Sequence, residues 1–284
     1  MRKIYMFVGR ASYEHNKFQI GGNEGCHGFY DSHPDVFTRL TIDFLNHKYN
    51  YCLKMITLFL KSLQFLLLCV ALLMLPKANA QSIKLNTNTL EPFQAYMSLV
   101  TLNGKSVIKV VKDSTIKGVD EPTFVKIRDV DFHNGTIEVK VLSKLLKNAP
   151  QSARGFIGVA FRINDDNSRY ESIYIRPTNG RANEQVRRNH SIQYYSYPDY
   201  KFDRLRKEAP EKYESYADMD LNRWITMRIE VSGLKAKLFL DNRSQPALIV
   251  NDLFHGPDLK GAIALWVEVG TEGYFCDLKV TKKD

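Results

Sequence analysis

Cysteine is scarce in this sequence, and what little there is lies mostly near the N-terminus. Of four cysteines in 284 residues, Cys26, Cys52 and Cys69 precede residue 80, and only Cys276 follows it. The C-terminal two thirds therefore hold no internal disulfide, and no Cys/His spacing of the zinc type occurs. A domain of some 200 residues buries enough core to manage without either. Cys276 sits in the strand-like run Tyr274-Phe-Cys-Asp-Leu278 and reads as a small core residue. A glycine-rich phosphate loop is also missing, and with it the usual nucleotide-binding signal. So is a continuous basic stripe. The formal charge of +9 falls to +5 when counted from Gln81, from 31 Lys and Arg against 26 Asp and Glu. The basic knots at Arg187-Arg188 and Arg204–Lys207 are short, which argues against a nucleic-acid partner.

The longest apolar run, Leu66–Leu75, falls short of the roughly 20 residues that a bilayer span needs. It follows Met55 and Lys61 and ends in Pro76-Lys-Ala-Asn-Ala80. Positive charge, apolar stretch and small-x-small end form the pattern of a signal peptide cleaved before Gln81. The expected organisation is an untranslated or disordered extension over 1–54, a signal over 55–80 and one domain over 81–284. The protein is then secreted or periplasmic, with no stable membrane span after cleavage. A retained anchor is the competing reading.

From Gln81 onward strand signals dominate. Thr136–Val141 and Ile225–Val231 alternate polar and apolar residues, as half-buried strands do. Ser232-Gly233 and Asp241-Asn242 turn a meander around Lys235–Leu240. Further strands are expected at Phe156–Ile163, Ser172–Arg176, Gly261–Val269 and Tyr274–Val280. A strand pair over 95–113 turns at Asn103-Gly104. Tyr200–Tyr216, rich in Lys, Arg and Glu, is a helical or irregular excursion. Many short strands at close spacing predict an all-β sandwich or barrel.

Strand parity separates an apolar face from its reverse. With Ile157, Val159, Phe161, Ile173, Ile175, Ile192, Tyr194, Ile263 and Leu265 inside, the reverse face carries Arg162, Tyr174, Arg176, Gln193, Tyr195, Trp266 and Glu268. Gly158 and Ala160 leave room above the sheet. Flat rings stack on sugar faces, while planar Arg, Gln and Glu groups satisfy hydroxyls, so Arg162, Tyr174, Arg176, Gln193, Tyr195 and Trp266 are candidate ligand contacts. The competing reading is a second apolar layer. On this parity Trp224 is buried and Trp266 is the more accessible tryptophan. Glu171, His190, Glu214 and Glu268 are candidate acids and bases, although nothing in the sequence pairs them. No cofactor is indicated, apart from Ca²⁺ as an option at Asn164-Asp-Asp-Asn167, whose first reading is a hairpin turn. Asn134, Asn189 and Asn242 head N-x-S/T sequons.

Asp131-Phe-His-Asn-Gly-Thr-Ile-Glu-Val, Gly155-Phe-Ile-Gly-Val-Ala-Phe-Arg, Tyr170–Asn179 and Gly261-Ala-Ile-Ala-Leu-Trp resemble exported bacterial proteins of the concanavalin A-like lectin/glucanase superfamily. The closing Phe275-Cys-Asp-Leu-Lys-Val is similar to the laminin G-like 3-keto-disaccharide hydrolase domain. The resemblance implies a two-sheet jelly roll with a saccharide on its concave face. The glucanase motif Glu-x-Asp-x-x-Glu is missing, so no catalytic residue carries over. The expected function is an exported carbohydrate-binding sandwich. The alternatives are a glycoside-cleaving enzyme of the 3-keto-disaccharide hydrolase type and a structural surface protein without a sugar site.

Overall fold

The structure is a computed structural model that describes residues 34–73 and 80–283. The chain divides into an N-terminal unit and a C-terminal one, which begins at Lys77.

Among the described residues the N-terminal unit contributes one helix, α1, over Pro34–Leu73. Pro34 stands at its first position, where a missing N–H costs nothing. No glycine or further proline occurs between it and Leu73. The helix therefore starts well upstream of Met55, inside the stretch expected to be disordered. Its segment Thr41–Leu68 has a mean hydropathy of 1.5 and none of it is buried. At 1.5 Å per residue those 28 residues extend about 42 Å, longer than the roughly 30 Å hydrocarbon core of a bilayer. By length and composition it can cross a membrane, which the Leu66–Leu75 run alone could not; a secretory signal passes the same test. Ala78 and Asn79 of the expected cleavage motif, and residues 1–33, lie outside the described residues.

The C-terminal unit consists of two antiparallel sheets. Sheet I has the order β13 (Leu248–Val250), β12 (Lys235–Leu240), β11 (Ile225–Ser232), β6 (Asn134–Leu145), β15 (Thr271–Lys283), β4 (Lys105–Lys112) and β3 (Ala95–Leu102); the short β1 (Ala80–Ser82) also pairs with β15. Sheet II has the order β10 (Glu214–Ser215), β9 (Ile192–Tyr197), β8 (Tyr170–Ile175), β7 (Ile157–Ile163), β14 (Ala262–Val267), β5 (Phe124–Ile127) and β2 (Leu90–Phe93). Three short helical pieces lie between strands: a 3₁₀ turn at Pro177–Asn179, α2 at Gln185–Asn189 and α3 at Phe202–Glu208. The last falls in the expected excursion.

Alternation explains sheet I directly. In β11, Ile225, Met227, Ile229 and Val231 are buried and the residues between them are not. Ile225, Met227 and Ile229 meet Val141, Val139 and Ile137 of β6 in register, and all four share one buried cluster with Val159, Ile173, Ile263 and Leu265 of sheet II. Sheet II differs: every residue of β7 and of β8 is buried. Both of its faces are covered, one by sheet I and the other by loops. That second covering decides where a ligand can reach.

Candidate functional site

The outer face of sheet II is built around a glycine. Gly158 pairs with Tyr174 on one side and Trp266 on the other, and Tyr174 pairs with Gln193. Directly opposed residues share a face. Because Gly158 has no side chain, the Tyr174 and Trp266 rings close over it, with centroids 4.7 Å apart. A Cβ at 158 would lie 2.5 Å from Tyr174 Cβ and 2.4 Å from the Ile173 carbonyl oxygen. Tyr195 stands one row away, 5.7 Å from Trp266 and 5.8 Å from Tyr174. Its hydroxyl is 3.1 Å from that of Tyr170. The room expected above Gly158 and Ala160 is thus filled by aromatic rings.

Two connections cover these rings: residues 113–123, between β4 and β5, and residues 198–213, between β9 and β10. Trp266 Nε1 donates to the Glu121 carbonyl at 2.9 Å, and Tyr170 Oη donates to the Asp120 carbonyl at 3.4 Å. The two connections are tied together where Phe202 N donates to Asp120 Oδ2 at 2.9 Å. Lys201 Nζ adds a bond to Glu121 Oε1 at 2.5 Å. Behind them Asp120 N donates to Glu268 Oε2 at 2.9 Å, and Glu268 is ion-paired with Lys112. Burial pushes the Asp120 carboxyl up to about 6, against the pull of the Phe202 N–H and Arg176. Burial likewise raises Glu268, and Lys112 offsets part of that rise.

Several expectations need correction. Tyr174, Arg176, Gln193, Tyr195 and Trp266 do share one face, but as a buried layer rather than an open groove. Trp266 is wholly buried and Trp224 only partly so, the reverse of the expected order. Arg162 leaves the set. It has φ +53° at a bulge where β7 runs Ala160 to Ile163 against Ala264 to Ala262 of β14. The extra residue breaks the parity. Arg162 instead donates to the carbonyls of His133 (2.9 Å), Gly256 (3.2 Å) and Gly233 (2.9 Å) and to Asn134 Oδ1 (3.1 Å), tying sheet II to the β11–β12 hairpin. Glu171 shares the parity of Ile173 and faces between the sheets. It accepts from Tyr194 Oη at 2.7 Å and from His255 N at 3.0 Å. It is therefore remote in kind from Glu268, which belongs to the covered outer face.

His190 and Glu214 do come together. Glu214, on β10 at the edge of sheet II, accepts from Arg176 Nη1 at 3.0 Å and from Arg206 Nε at 3.0 Å. Arg176 also donates to Tyr174 Oη at 2.8 Å and to Gln193 Oε1 at 3.1 Å, so the buried layer runs continuously to this edge. His190 Nδ1 lies 2.8 Å from Glu214 Oε2, at ion-pairing distance but outside hydrogen-bond geometry. Burial raises the Glu214 carboxyl, and the two guanidiniums outweigh it, holding the group below the usual carboxylate range. Burial, with Arg206 and Arg176, holds His190 below its usual range despite Glu214. Around neutrality the arrangement is an ionised carboxylate beside an uncharged imidazole.

A cavity of about 150 Å³ is lined by Asn189, His190, Glu211, Glu214, Ser215 and Tyr216. Tyr216 is 41% exposed, its ring lies under Arg188 at 5.0 Å, and its hydroxyl accepts from Arg188 Nη2 at 2.7 Å. Asn189, Glu211, Ser215, Tyr216 and Arg206 were not among the expected contacts. Their signal was weak: a charged, aperiodic stretch at 200–216 and a sequon at Asn189. Among the described residues no group of three or more His, Cys, Asp or Glu is placed to hold a metal. In the Asn164–Asn167 turn, Asn164 Oδ1 accepts from Arg169 N at 2.9 Å and Asp166 Oδ1 from Ser168 Oγ at 2.6 Å.

No family model matches the sequence, and no curated protein matches it. Solved structures do. A carbohydrate-binding module, CBM66 from Bacillus subtilis, superposes with a TM-score of 0.47 at 13% identity, over 68% of this chain and 96% of its own. The β-glucanase of Bacillus licheniformis gives 0.39 at 11%, over 74% and 94%. Domain 4 of AbnA, an extracellular arabinanase of Geobacillus stearothermophilus, gives 0.38 at 10%, over 68% and 81%. By its sheets the C-terminal unit is a two-sheet antiparallel β-sandwich.

Proposed function

We propose that the protein is an exported carbohydrate-binding sandwich that takes a saccharide at the cavity between α2 and β10, at the edge of the outer face of sheet II. The cavity carries this reading. It adjoins the Arg176–Gln193–Tyr174 layer through Glu214, and it combines an exposed tyrosine ring with an amide, a hydroxyl, an imidazole and carboxylates. Sugar hydroxyls need planar donors and acceptors in these numbers, and a sugar ring needs a flat partner. Arg176 and Arg206 fix Glu214 before a ligand arrives, so little ordering remains to be done on binding. The buried Trp266 and Tyr174 act as the support of this edge and do not touch the sugar. The expected test is binding of the full-length protein to a glycan panel. Tyr216→Ala should weaken binding by roughly thirtyfold, as loss of an aromatic anchor does. Failure to bind any glycan would leave the structural role.

A second reading rests on His190 and Glu214. An uncharged imidazole whose Nδ1 sits against an anchored carboxylate is placed to take a proton through Nε2, and Glu211 brings a second carboxylate to the same cavity. Turnover of an oxidised disaccharide by the protein, lost in His190→Gln, would favour the glycoside-cleaving alternative.

A further inference from the structure

Sheets end in edge strands, and an edge is a row of unpaired backbone groups. In this sandwich four of the edges are blunted. β1 and β13 have three residues each, β10 has two, and β2 has four including Pro92. β3 is different. It runs eight residues, Ala-Tyr-Met-Ser-Leu-Val-Thr-Leu, pairs only with β4 among the described residues, and contains no charge, proline or glycine. Tyr96 is 62% and Leu99 50% exposed. None of the usual devices against edge pairing is present.

The hairpin geometry shows which groups are free. Asn103 and Gly104, both with positive φ, close a two-residue loop with Leu102 opposite Lys105. The pair flanking such a loop is hydrogen-bonded, and bonded and non-bonded pairs alternate from there. Tyr96, Ser98, Val100 and Leu102 therefore direct their backbone groups to β4. The bond from Asp113 N to the Gln94 carbonyl continues the same series. Ala95, Met97, Leu99 and Thr101 direct theirs outward.

We infer that β3 is a homodimer interface, in which two copies pair antiparallel about a twofold axis at Leu99. A twofold perpendicular to the sheet keeps each face on its own side, so paired residues must have the same parity, and residues whose backbone points outward must meet one another. Leu99 meets both conditions. The register sets Leu99 against Leu99, Met97 against Thr101, Ser98 against Val100 and Tyr96 against Leu102. No charge faces a charge at any position. On the outer face of sheet I, Val107, Leu142, Tyr274 and Cys276 form an apolar cluster edged by Val100, Leu102 and Trp224. Pairing places Tyr96 of the second copy against Leu102 at that edge and carries the cluster across the axis. An isologous pair of this kind is self-complementary, which is why the occupant is a second copy rather than an unrelated strand.

The test is sedimentation of the intact chain in mild detergent. The wild type should be a dimer. Leu99→Lys opposes two ammonium groups at the axis and should weaken association by about tenfold or more, with an unchanged far-UV spectrum because Leu99 is half exposed. Ile249→Lys, on the short β13 edge, should leave the dimer intact. Oxidised Leu99→Cys should link two copies covalently, beyond any linkage seen in the wild type. A monomeric wild type, or a dimer indifferent to Leu99→Lys, would overturn the inference.

Discussion

Asp120→Asn gives the sharpest physical check on the covered face. In the folded protein burial raises the Asp120 carboxyl from 3.8 to about 6. An acid with a raised folded pKa holds its proton more tightly when folded than when unfolded. Its contribution to stability is therefore full below 3.8, falls as pH rises through the window up to about 6, and stays lost above it. A rise of roughly two units corresponds to about 3 kcal/mol, at about 1.4 kcal/mol per unit, and Asp120 is buried deeply enough that solvent screening does not reduce it. Other groups titrate in the same window, and Glu214 works in the opposite sense. The quantity to measure is therefore a difference. Urea unfolding of wild type and Asp120→Asn at about pH 4 and about pH 7 should show the wild type losing about 3 kcal/mol relative to the variant across the window. The asparagine oxygen can still accept from Phe202 N, so the tie between the two covering connections survives. Parallel stability curves for the two proteins would show that Asp120 is not buried against that tie, and the description of the covered face would fail with it.

The same packing sets two further outcomes. Acrylamide should quench Trp224, studied alone in Trp266→Phe, and should scarcely reach Trp266, studied alone in Trp224→Phe; equal quenching would mean that residues 113–123 and 198–213 do not seal the face. Gly158→Ala should destabilise by about 1–3 kcal/mol in denaturant titration, since its Cβ would meet Tyr174 and the Ile173 carbonyl. An unchanged midpoint would refute the closure of Tyr174 and Trp266 over that position.

The two-layer core was legible because alternation is a local property. Ile225, Met227, Ile229 and Val231 announce their side of β11 without any knowledge of the rest. Parity also grouped Tyr174, Arg176, Gln193, Tyr195 and Trp266 correctly. It could not say whether their face is open, because covering is done by segments distant in sequence and without period. Asp120 lies 148 residues from Glu268 and 82 from Phe202. Arg162 was misplaced for a different reason. A bulge at a non-glycine residue leaves no mark in composition, yet it shifts the strand's parity from that residue onward. The cavity was half visible. His190 and Glu214 stood out as candidates, whereas Tyr216 and Asn189 gain their meaning only when β10 folds back beside β9. In the N-terminal unit, the helix-compatible stretch from Pro34 carries polar and charged residues and so stands out less than the apolar run at 66–75 that follows it.

The central claim is that a saccharide sits in the cavity between α2 and β10. Hydrogen–deuterium exchange of the full-length protein, with and without a glycan that binds it, tests this most directly. The account predicts added protection confined to residues 189–190 and 211–216, with sheet I unchanged. Protection on sheet I instead, or none near Tyr216, would contradict it.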